Sequence, residues 1–211
     1  MTARTQATPR RANRAQKRAA NRERILKAAR KVFGARGFHA ATIEEIADEA
    51  GLSNGAIYYN FESKGDLFFA LLEEREQERL RRLRNMLTGA TEAQSRELAI
   101  AEARDATRSL KESREWRMLL FEFVPYAARS KTLGPRLREH KRTFEAEMTE
   151  ILAQWLGAVG RAPRIPADRL ALVTLALANG LAFEEVFDPG SVPDELLGDM
   201  LGLLAGGGPA R

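Results

Sequence analysis

Apolar residues in this chain recur at helical spacing almost everywhere and alternate almost nowhere. Alternation marks a half-buried strand, whereas spacings of three and four gather apolar side chains on one helix face. Ile25, Ala29, Val32 and Phe33 form such a face, which predicts a helix from about Asn21 to Ala35 with Gly37 just past its end. Thr42 and Glu45 stand as N-cap and N3 partner of a capping box and introduce the stripe Ile43, Ile46, Ala47, Ala50, which Gly51 stops. Ser53 is placed to cap a short helix from Asn54 to about Asn60, and Ser63 a long one reaching Leu87. Further helices are expected from Thr91 to about Leu110, from Glu112 to Ser130 with Pro125 kinking or interrupting it, and from Gly134 to about Val159. Asp168 to Phe187 and Pro193 to about Leu204 complete the set. No segment reads as a strand, so the expected fold class is all-α.

Composition narrows the chemistry. Cysteine is absent, which removes thiol nucleophiles, disulfides and thiolate metal sites. Two histidines, His39 and His140, with no His-Glu-x-x-His pattern, leave little from which to build a catalytic or metal centre. No catalytic residue, metal or cofactor is expected, and His140, between Glu139 and Lys141, reads as solvent-facing. The longest apolar run, Leu170 to Phe183, is interrupted and falls short of the ~20 residues of a membrane span. The first segment has no apolar core of the kind a secretory signal carries. A soluble, cytoplasmic protein without membrane attachment is the expectation.

The formal charge is +5, and it is unevenly spread. Eight basic residues up to Arg24 face only Glu23, so this stretch carries +7 and the remaining 187 residues sum to −2. Charge gathered at one terminus points to a polyanionic partner. Three readings of the segment compete: an arm that binds nucleic acid, a solvated disordered tail, and an organelle transit peptide.

Ala47, Gly51 four residues later and Ile57 six further on have the spacing of a helix-turn-helix. Alanine allows the two helices to cross closely, glycine accepts the positive φ of the turn, and isoleucine fills the angle between them. A second helix from Asn54 to Asn60 is about 10 Å long at 1.5 Å per residue and fits a major groove ~12 Å wide. Asn54 suits paired hydrogen bonds to adenine, and Gly55 removes bulk where backbone approaches DNA. Tyr58 and Tyr59 offer hydroxyls to phosphates, although one of them is equally placed for partial packing. Thr42 and Lys64, each beginning a helix, suit phosphate clamping; Thr42 and Ser53 are equally explained as caps alone.

The stretch from Arg22 to Leu72, and above all GLSNGAIYYNFESKGDL from Gly51 to Leu67, resembles the tetracycline-repressor (TetR) family of bacterial regulators. The residues that carry the resemblance are Gly37-Phe38, Thr42, Ile46-Ala47, Gly51, Ser53, Tyr58, Phe61, Ser63 and Lys64, with departures at Asn60 and Gly65. It implies a DNA-binding domain over 21–66; the charge of the segment before it, 1–20, is read as a disordered basic arm. A helical domain, 67–205, would follow, ending in a frayed tail, 206–211. It further implies a homodimer through the last two long helices and a small-molecule pocket. The sequence supports the dimer separately, since the Asp168–Phe187 helix is apolar on nearly all sides and needs cover on two fronts.

Trp116, Leu120, Phe123 and Tyr126, at spacings of three and four, are candidates for the pocket lining, joined by Trp155, Asn179 and Phe183. Plain core is the competing reading of that stripe. The expected function is a sequence-specific transcriptional regulator, a repressor released from a palindromic, double-stranded operator by a small-molecule effector. The alternative is a helical-bundle adaptor with non-specific nucleic-acid binding through its arm.

Overall fold

Glycine and the capping residues set where the first helices begin and end. The computed structural model describes residues 9–87, 114–158 and 165–204. Helix α1 spans Pro9–Ala40, α2 Ile43–Ala50, α3 Asn54–Asn60 and α4 Lys64–Leu87. Helices α5, Arg114–Arg129, α6, Leu133–Ala158, α7, Ala167–Phe187, and α8, Leu196–Leu204, follow. The all-α expectation is met. The chain divides into two compact units, Met1–Glu73 and Glu74–Arg211.

In the first unit, α1 packs on α2 and α3, and α2 packs on α3. Their shared core joins Ile25, Ala29, Phe33, Ile46, Ala47, Ile57 and Phe61, all buried. Phe33, Phe38 and Phe68 form an aromatic triangle with centroids 5.2 to 5.8 Å apart, two of its three contacts being edge-to-face. Gly37 takes φ 79°, ψ 168° and breaks the regular backbone of α1, which is the stop the sequence assigns to it.

The N-terminal boundary differs from expectation. Helix α1 begins at Pro9 rather than near Asn21, so residues 9–20 of the supposed disordered arm continue the helix. Proline is favoured at a first helical position, and the Ala-, Arg-, Lys- and Gln-rich stretch after it has high helix propensity.

In the second unit, α6 and α7 pack on each other, α5 packs on both, and α8 packs on α7. Leu80, Met148, Ile151 and Ala171 form one buried cluster; Leu156 and Leu170 form another, with Trp155, Ile165 and Leu204 against it. Pro125 does not interrupt α5. It lies on the exposed side beside Phe121, so the backbone bond that proline forgoes is lost on that side alone. Helix α8 starts at Leu196, three residues after the expected Pro193, whose carbonyl instead accepts from Leu196 N–H at 3.2 Å in a preceding turn. The buried Glu185 carboxylate accepts from the backbone N–H of Gly190 at 2.7 Å and ties the Asp188–Gly190 turn back onto α7.

Helix α7 is more apolar than the sequence reading allowed: its 21 residues include a window of mean hydropathy 1.6, long and apolar enough to cross a membrane by length and composition. One third of that window is buried within the chain. Leu172, Phe183 and Phe187 are left exposed. His140, expected to face solvent, is half-buried and paired with Glu76. The expected Thr91–Leu110 helix and the 206–211 tail lie outside the described residues.

Candidate nucleic-acid interface

The first unit is organised around a turn that glycine alone adopts without strain. Gly51 sits at φ 61°, ψ 41°, and its N–H donates to the carbonyls of Ala47 and Asp48. Leu52 N–H returns to Ala47 O at 3.0 Å, closing the end of α2. Arg24 completes the cap: its Nη2 donates to Ala50 O at 2.7 Å and Gly51 O at 3.3 Å, placing a cation on the negative end of the helix dipole. In sequence Arg24 was one of eight cations in a basic stretch. Its contact is with a residue 26 positions away, which no local pattern reveals.

The capping box is complete. Glu45 N–H donates to Thr42 Oγ1 at 3.2 Å, and Thr42 N–H donates to Glu45 Oε2 at 3.1 Å. The Thr42 N–H, aided by the Arg36 guanidinium 2.6 Å from Glu45 Oε1, holds the Glu45 carboxyl below its usual range. Ser53 Oγ accepts from Ala56 N–H at 3.3 Å and starts α3. Ser63 does the same for α4, accepting from Asp66 N–H at 3.1 Å.

With both ends fixed by local bonds, α3 presents one face inward and one outward. Ile57 is fully buried, while Asn54, Gly55, Tyr58 and Tyr59 are exposed. Tyr58 is 54% and Tyr59 71% exposed, so neither serves as packing. A Cβ at Gly55 would meet only Ser53 Oγ at 3.8 Å, so nothing within the chain requires glycine there. Arg18 lies 5.3 Å over the Tyr59 ring and Arg22 5.5 Å over Phe61. The extended α1 thereby brings Arg18 against the outward face of α3 and Arg22 beside its end.

An open cleft of about 420 Å³ lies between the starts of α2 and α4, lined by His39, Thr42, Glu44, Tyr58, Ser63 and Lys64 among others. Two helix N-termini converge on it, each with a positive dipole end. Lys64 has a second task there. Its Nζ donates to His39 O at 2.9 Å and Ala41 O at 2.8 Å and lies 5.0 Å over the Phe38 ring. The ammonium therefore fastens the end of α1 to the start of α4, and it shares the cleft with the carboxylates of Glu44 and Glu62.

The residues proposed for the effector site are not brought to one place. Trp116 and Leu120 are half-buried on α5, and Phe123 is buried. Tyr126, 6.4 Å from Phe123 between centroids, is exposed. Trp155 packs in the separate Leu156–Leu170 cluster. Asn179 and Phe183 are exposed on α7, where Phe183 stacks edge-on to Phe121 at 5.1 Å. Helical spacing identified the α5 stripe but carried no information about which way the α6 and α7 residues turn.

Two short helices joined by a left-handed glycine, one with an exposed polar face, define a helix-turn-helix DNA-binding module. The family model described as "Bacterial regulatory proteins, tetR family" matches residues 25–71. That for "BetI-type transcriptional repressor, C-terminal" matches residues 96–202, just over half of the chain. The chain belongs to the tetR family of bacterial regulatory proteins, and it is a DNA-binding transcriptional regulator. It is 29% identical over 197 residues, 85% of each chain, to the HTH-type transcriptional regulator TtgR of Pseudomonas putida. Over 54 residues, 26% of each chain, it is 48% identical to the HTH-type transcriptional repressor BepR of Brucella suis. Its fold matches that of the transcriptional regulator FadR from Bacillus subtilis, solved in complex with stearoyl-CoA, with a TM-score of 0.66 at 18% identity over 88% of this chain and 98% of that one.

Proposed function

We propose that the protein is a homodimeric repressor that reads a two-fold operator with α3 and leaves it when a small organic molecule occupies the second unit. The observation that carries the DNA-reading part is the outward face of α3. Asn54, Gly55, Tyr58 and Tyr59 are exposed together while Ile57 alone holds the helix in the core. In this reading Asn54 meets a base edge, and Tyr58 and Tyr59 meet phosphates or thymine methyl groups. Thr42, Ser53 and Lys64 serve the phosphates beside the cleft in addition to their structural bonds.

The dimer reading rests on α7. A helix with two thirds of its apolar window uncovered, carrying exposed Leu172, Phe183 and Phe187, calls for a second copy. Gly180, with nothing within 4 Å of a Cβ built on it, leaves room for a backbone to approach. Release follows as a population shift: a ligand that binds better to a dimer whose recognition helices are mis-spaced draws the protein off DNA. The FadR structure holds an acyl thioester, which is consistent with an organic effector in this fold.

The test is selection of the operator from random DNA, followed by binding of single variants to the selected sequence. Asn54→Ala is expected to change preference at one base pair, and Tyr59→Phe to weaken binding alike on all sequences. Three folded variants, Asn54→Ala, Tyr58→Phe and Tyr59→Phe, all with undiminished affinity and preference, would remove α3 from the groove.

A further inference from the structure

The second unit holds a cation, Arg117, with a buried donor that no described residue satisfies. Arg117, on α5, is half-buried, and its Nε is inaccessible to solvent with no hydrogen-bond partner. A buried guanidinium is ordinarily paired, because an unmade hydrogen bond leaves the desolvation cost of a charged donor unrecovered. Among the described residues no carboxylate pairs with it. Glu76 is engaged by His140, Glu78 by Arg81, and Glu147 by Arg84 and Gln77. The charges that bear on Arg117 are those of Arg79 and Arg75, one turn apart on α4. Burial first, and then these two cations, push its pKa down to about 10, so it remains charged at neutral pH against its surroundings. Arg75 itself lies 4.9 Å over the Trp116 ring. Trp116, Leu120 and Phe123 then supply an apolar face running along α5 from the same turn, at positions i, i+4 and i+7.

Three guanidinium groups from two helices, one of them with a buried and unpartnered Nε, beside an apolar stripe, describe the complement of an amphipathic anion. We propose that Arg117, flanked by Arg75 and Arg79, is the anion-recognising centre of the effector site. The molecule this regulator senses then carries a carboxylate or phosphate on an apolar body. This deepens the ligand-responsive reading given above and rests on it. Guanidinium is suited to the task because its planar donors pair with both oxygens of either head group at once. The apolar body would lie along Trp116 and Leu120, where burial contributes without orientation.

The test uses the full-length protein with decanoate, decyl phosphate and decan-1-ol, followed by titration calorimetry and by tryptophan fluorescence. Wild type is expected to bind the better anion at least about tenfold more tightly than the alcohol. Arg117→Met, which keeps the stem and removes the charge, is expected to erase that difference and leave the alcohol unchanged. Arg117→Lys is expected to restore part of it. The relative affinity of the two anions tells a carboxylate site from a phosphate site. Thermal unfolding supplies a second readout: Arg117→Met is expected to melt above wild type without ligand, and anion to stabilise wild type alone. Equal binding of anions and alcohol by wild type, no anion binding at all, or an undiminished anion preference in Arg117→Met would each overturn the proposal. Operator release is scored separately. Arg117-dependent anion binding that leaves the operator complex intact would keep the anion site and reject ligand-driven release.

Discussion

The two units of this chain are finished to different degrees. In the first, each turn is closed by bonds the unit supplies itself: Gly51 in the left-handed region, Thr42 with Glu45, Ser53, Ser63, and Arg24 on the carbonyls of α2. What it leaves outward is polar and aromatic, on one helix. The second unit leaves apolar rings outward, with Phe121, Phe183 and Phe187 in contact with one another and exposed. It also leaves the half-buried Arg117 with an unpartnered Nε and no carboxylate beside it among the described residues. One unit is a self-sufficient head, and the other, on the proposal made above, is completed by a second copy and a ligand. On that proposal, stability of the head is an intrachain matter, while the second unit is expected to take part of its stability from partners.

The widest separation between the units is expected from two core-scale substitutions. Phe68→Ala removes one corner of the Phe33–Phe38–Phe68 triangle and should cost about 3–5 kcal/mol of stability, measured by denaturant unfolding, irrespective of protein concentration. Phe183→Asp should leave the head folded while converting dimer to monomer, with operator affinity down by about a hundredfold or more by anisotropy and sedimentation. A Phe183→Asp protein that remains dimeric and binds operator normally would erase the contrast drawn here.

Smaller effects sharpen it. Gly51→Ala forces an L side chain to φ 61° and sets its Cβ 3.3 Å from Arg24 Nη2, so a loss of about 1–2 kcal/mol is expected by thermal unfolding. Thr42→Ala should cost about 1 kcal/mol. Glu45 adds a pH signature. Because its folded pKa lies below the ordinary 4.5, its stabilisation is present above 4.5 and is lost as pH falls through the folded value. The stability gap between wild type and Glu45→Gln should accordingly close on acidification, and a gap that widened toward low pH would contradict the capping geometry.

What was legible in the sequence follows the range of each interaction. Thr42 and Glu45 are three residues apart, and Gly51 stops a four-residue stripe that spans eight positions, so both ends of α2 and the start of α3 were legible. The link from Arg24 to Ala50 and that from Lys64 to His39 cross 26 and 25 positions, and a one-dimensional pattern assigns such residues only their charge. The same limit misplaced His140, whose neighbours in sequence are charged but whose partner is Glu76 on another helix. Helix α1 was begun too late because its amphipathic face starts at Ile25, whereas Pro9 and the good helix formers after it extend the backbone without an apolar stripe. The effector residues were legible only as a stripe on α5. Asn179 and Phe183 share a helix that is apolar all round, so periodicity could not say which face is covered.

The central claim is that the head reads DNA sequence while the charge around it supplies affinity. It is tested most directly by titrating full-length protein onto the DNA upstream of its own gene, and onto unrelated DNA, at two salt concentrations. The expected result is a preference for its own site that survives salt, two protomers per site, and affinity that falls steeply as salt rises. Equal, weak binding to both DNAs that mild salt abolishes would contradict it.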